Sequence, residues 1–75
     1  MKDFKVEYEF RNYSMFLESS NATPETLDVK IIMYNTVYHI YKDKTTNIWH
    51  NHISNFQLGK GLLQAVGEKL DEMLK

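Results

Sequence analysis

The chain predicts an α+β fold, a four-stranded antiparallel β-meander with one C-terminal α-helix packed on one face. Three observations carry that expectation. Between residues 4 and 53, runs rich in β-branched and aromatic residues alternate with short breaks of Asn, Asp, Lys and Thr, the composition of strands joined by turns. Several runs show period-two patterning, as a sheet with one buried face requires. After residue 53 the apolar period lengthens to that of an amphipathic helix.

The first hairpin is expected over residues 4 to 18. Val6, Tyr8 and Phe10 alternate with Lys5, Glu7, Glu9 and Arg11. A turn at Arg11-Asn12 brings Tyr13, Met15 and Leu17 onto the face of Val6, Tyr8 and Phe10. The other face then holds Glu7, Glu9, Ser14, Phe16 and Glu18, with Phe16 the one greasy exception. Residues 19 to 27 read as the longest loop. Within it, Thr23-Pro24-Glu25 sets a capping residue before a proline and an acid, the opening of a single helical turn.

The run from Asp28 to Ile53 organises the rest. A turn at Asn35-Thr36 pairs Ile32 with His39 and Ile31 with Ile40. Val29, Ile31, Met33, Tyr38 and Ile40 share one face, whereas Lys30, Ile32, Tyr34, Val37, His39 and Tyr41 share the other. The connection Asp43-Lys44-Thr45-Thr46 leads to a short further run that pairs Tyr41 with Ile48 and His39 with His50. Trp49 and Ile53 then join the core face, and Ile48, His50 and His52 the face of His39.

The helix is expected to open with a capping box at Ser54 and Gln57 or, alternatively, near Gly61. Leu58, Leu62, Leu63, Ala65, Val66, Leu70, Met73 and Leu74 fall within half its circumference, and Gln64, Glu68, Asp71 and Glu72 in the rest. Gly59, Gly61 and Gly67 each weaken a helix by about 1 kcal/mol relative to alanine. Gly59 and Gly67 lie beside the apolar arc, where they would let the helix approach the sheet closely.

Seventy-five residues with 43% hydrophobic content read as a single small globular domain, 1–75. The absence of cysteine excludes disulfides and thiolate metal sites. Nine Lys and Arg against ten Asp and Glu, with no basic stripe, argue against nucleic acid as a partner. The charged start lacks the apolar stretch of a signal peptide, and no run is long enough for a membrane span, so a cytoplasmic location is expected. Neither a thiol nucleophile nor a Gly-x-Ser-x-Gly elbow is present, and the chain is read as no enzyme, with no cofactor.

Two constellations remain. Ile32, Tyr34, Val37, Tyr41 and Ile48 are read as a contiguous apolar patch on the face the helix leaves bare, and patches of that kind mark interfaces. The leading expectation is therefore a protein-interaction domain, as a homodimer or as an accessory or inhibitory factor acting on a protein partner. The competing expectation is metal binding by His39, His50 and His52, which the same register places together.

Overall fold

The structure, a computed structural model, describes residues 2–53 and 56–74. Its elements are β1 (Lys2–Tyr8), β2 (Arg11–Ala22), β3 (Thr26–Met33), β4 (Thr36–Asp43), β5 (Ile48–Asn51) and α1 (Lys60–Met73). The strands form one antiparallel sheet in the order β1-β2-β3-β4-β5, a meander, with α1 packed on one face. The expected α+β architecture is present with five strands rather than four. The fifth is the short run at Trp49, which pairs with β4 over four residues.

Both hairpin turns differ in position from the sequence reading. The first lies at Glu9-Phe10, so Val6 pairs with Tyr13 and Phe4 with Met15. The second lies at Tyr34-Asn35, so Ile31 pairs with Tyr38 and Val29 with Ile40. In each turn both central residues have positive φ, 51° and 65° in the first and 53° and 60° in the second. That is the two-residue geometry whose twist matches flanking strands, although Asn and Gly are its usual occupants. Phe10, expected in the core, is at the turn and fully exposed. The faces survive because pairing partners moved by an even number of residues, and side-chain orientation repeats every two.

Residues 19 to 27 are not a long loop. β2 runs on to Ala22 through an irregularity between Leu17 and Ser19 that leaves Glu18 unpaired, then pairs with β3 from Ser19–Lys30 to Ala22–Leu27. Thr23, Pro24 and Glu25 make a tight turn instead of a helical one. The backbone N–H of Thr26 donates to Thr23 Oγ1 at 2.9 Å, and that of Thr23 to the Thr26 carbonyl at 2.8 Å.

The core lies between the sheet and α1. Met15, Val29, Ile31, Ile40, Val66 and Leu70 are fully buried there. Ile53 does not join them and is fully exposed. The helix begins at Lys60 with Gly59 as N-cap and no side-chain cap; Ser54 lies outside the described residues. Leu58 is buried but precedes the helix. Its backbone N–H donates to Asn51 Oδ1 and its carbonyl accepts from Asn51 Nδ2, both at 3.0 Å. That clamp directs the chain from β5 over the sheet. Lys42 Nζ meets Asp71 Oδ1 at 2.8 Å and ties β4 to the last turns of α1.

Two glycines set the helix against the sheet. A Cβ on Gly67 would overlap the indole of the buried Trp49, and one on Gly61 would overlap the ring of Tyr8. Gly59, expected to help, has open space around it. No helix among the described residues is long and apolar enough to cross a membrane.

Candidate functional site

With α1 on one face, no other element among the described residues covers the opposite face of the sheet. Strand alternation delivers to it Asp28, Lys30 and Ile32 from β3, Val37, His39 and Tyr41 from β4, and Ile48 and His50 from β5. The β4–β5 register pairs Tyr41 with His50, so His39 lies beside His52 rather than His50. The ladder extends one step beyond β5 through the His52 N–H, which donates to the His39 carbonyl at 2.9 Å.

The five residues expected to form one patch divide into groups. Ile32 faces Val37 across β3–β4, and Phe16 of β2 faces Ile32, giving an apolar row over three adjacent strands. Phe16 and Val37 are each 47% exposed. Tyr41 is four residues from Val37 on the same strand, about 13 Å at an ordinary strand rise, with His39 between them. Its ring lies under two imidazoles, 5.2 Å from His50 and 4.6 Å from His52 between centroids. Ile48 pairs with Asp43 at the far end of β4, and Tyr34 occupies the hairpin turn.

The histidines are likewise rearranged. His52 reaches across β4 to Asp28 on β3, where its Nε2–H donates to the carboxylate oxygen Oδ1 at 2.6 Å. His39 Nε2 lies 4.0 Å from the same oxygen, and the His39 and His52 rings are 3.9 Å apart between centroids. One ligand atom from each of Asp28, His39 and His52 falls within 4.8 Å of the others. His50 stacks on Tyr41 and is not in this cluster. The three side chains are each about a third exposed, at 29%, 37% and 34%.

Asp28 is held from both sides. Its second oxygen accepts from Thr26 Oγ1 at 3.2 Å, and that hydroxyl lies 3.0 Å from Thr23 Oγ1 in the preceding turn. The electrostatics act most clearly on His39. Desolvation, then the neighbouring His52 and Lys30, push its pKa below the usual imidazole value, against a smaller opposing pull from Asp28. Neutral imidazole is the form that can accept a proton or hold a metal.

Asp28 is the member that the residue pattern left unassigned. Its signal in the sequence is parity, because it shares a strand face with Lys30 and Ile32 opposite His39 and Tyr41. The chain has no match among protein-family models, curated proteins or solved structures.

Proposed function

We propose that the protein is a small, non-enzymatic interaction domain that associates with a second copy of itself through the bare face of the sheet. The observation that supports this is the row Phe16–Ile32–Val37, apolar side chains on three neighbouring strands opposite the helix. Burying such a row against its symmetry mate removes apolar area from water at about 25 cal/mol per Å².

Two further features favour a second copy meeting face to face. The sheet edges are poor templates for pairing: β1 carries Lys2, Asp3, Lys5 and Glu7, and β5 is only four residues long. The bare face also carries both signs of charge, with Lys5 and Lys30 against Asp3, Glu7 and Asp28, so a two-fold arrangement can set unlike charges together. The net charge of −1 gives little repulsion between copies.

Sedimentation equilibrium of the wild type beside an Ile32→Glu, Val37→Lys double variant tests the reading. A concentration-dependent dimer is expected for the wild type. A folded monomer is expected for the variant, because a Glu–Lys pair facing across β3–β4 would have to lose its hydration where the row now offers apolar surface. A wild type that stays monomeric at hundreds of micromolar ends the self-association reading and directs the search to a different protein partner.

A further inference from the structure

We infer that Asp28, His39 and His52 form a binding site for one divalent transition-metal ion of the zinc, cobalt or nickel kind, with water completing its coordination. The inference stands apart from the interaction reading, since it does not use the Phe16–Ile32–Val37 row and requires only one copy of the chain.

The donor set is two imidazole nitrogens and one carboxylate oxygen, which suits these ions and disfavours calcium and magnesium, whose sites are built from oxygen. Metal–ligand bonds of ~2.0–2.1 Å in a tetrahedral arrangement place neighbouring donors roughly 3.3 Å apart. Asp28 Oδ1 is 2.6 Å from His52 Nε2 and 4.0 Å from His39 Nε2, one inside that spacing and one outside it. A side-chain movement of about 0.7 Å evens the two distances, well within what partly exposed rings on a strand allow by small torsional changes. The His52 proton that bridges to Asp28 is the one the ion would replace.

The surroundings fit as well. The Thr23–Thr26–Asp28 hydroxyl chain orients the carboxylate from behind, as outer-shell partners do at metal sites. Lys30, paired with His39 across β3–β4, opposes a cation and sets this site below the affinity of an all-neutral shell. Three protein donors, each about a third exposed, leave coordination positions for water, the arrangement of sites that exchange a ligand rather than of closed structural ones.

The test is calorimetric titration of the full chain with Zn²⁺ near neutral pH. Saturable binding of one ion per chain is expected, weakened at least tenfold in each of Asp28→Asn, His39→Ala and His52→Ala and unchanged in His50→Ala. Absence of saturation in the wild type overturns the assignment. So does half an ion per chain, or a His50→Ala loss equal to that of His52→Ala. If a variant does not fold, the wild type still decides the matter by imidazole NMR. Substoichiometric Zn²⁺ should shift the ring signals of His39 and His52 and spare those of His50, whereas equal shifts in all three, or a shift in His50 alone, overturn it.

Discussion

Replacing Gly67 by alanine separates the observed helix–sheet contact from ordinary helix chemistry. At a helix position open to water, glycine to alanine gains about 1 kcal/mol. At Gly67 the added Cβ would lie 2.5 Å from Cγ and 2.6 Å from Nε1 of Trp49. Cδ1 of the same indole would be closer still, and ordinary contact between such atoms is roughly 3.5–4.0 Å, so well over 1 Å of separation must open. Trp49 is 3% exposed and forms part of the core, so the indole has little room to yield. Overpacking of that kind costs ~1–3 kcal/mol, and the rigid ring argues for the upper end. The expected net loss is about 2 kcal/mol after the helix gain, or roughly 10 °C in Tm for a domain this small. Gly59→Ala is the control, since nothing lies within 4 Å of the added atom, and its Tm should change little. Thermal and urea unfolding followed by circular dichroism measure both. A Gly67→Ala protein more stable than the wild type would show that α1 does not lie against Trp49.

Three further outcomes follow from particular contacts. Glu9→Asn with Phe10→Gly should stabilise the first hairpin by about 1 kcal/mol in urea unfolding, because both positions have positive φ and the new pair tolerates it; a loss of stability would count against the turn geometry. Asn51→Ala removes both hydrogen bonds to the Leu58 backbone and should cost about 2 kcal/mol by the same assay, whereas an unchanged midpoint would mean the clamp is not made. His39 resists protonation in the fold, so the unfolded chain takes its proton first, and stability should decline as pH falls from about 6.5 through the lower folded value. The groups facing it are His52, Lys30 and Asp28, and His39→Gln should flatten that decline; parallel Tm–pH profiles would contradict the assignment.

Face assignment was legible from alternation alone. Val29, Ile31, Met33, Ile40 and Trp49 are buried as their parity requires, and Lys30, Val37 and Ile48 are on the outside. Register was less legible because the turns use the wrong residues. Phe10 and Tyr34 occupy left-handed positions that normally call for Gly or Asn, so nearby Asn12 and Asn35-Thr36 drew the turns toward the C-terminus. At the third turn the left-handed residue is Asn47, just past the expected Asp43–Thr46 connection, and that two-residue change of partner sets His39 beside His52 instead of His50. Ser19, Ser20 and Asn21 read as loop by composition, yet their backbone groups pair with β3 after the irregularity at Glu18. Tertiary pairing there overrides a weak local propensity. The start of α1 was obscured by Leu58, which continues the helical apolar period but is buried by a non-helical segment under the Asn51 clamp. Gly61 gave no sign of its role, since contact with Tyr8 depends on how α1 crosses β1.

The claim that the bare sheet face is where copies meet is tested most directly by following backbone and methyl NMR signals as the protein is diluted. Shifts should concentrate at Phe16, Ile32, Val37 and their outward-facing neighbours, and the outward positions of α1 such as Glu68 and Glu72 should stay constant. Ile32→Glu with Val37→Lys should fix the spectrum at its dilute limit at every concentration. Shifts confined to the β1 edge or the hairpin turns, or a wild-type spectrum that does not change with concentration, would contradict the account.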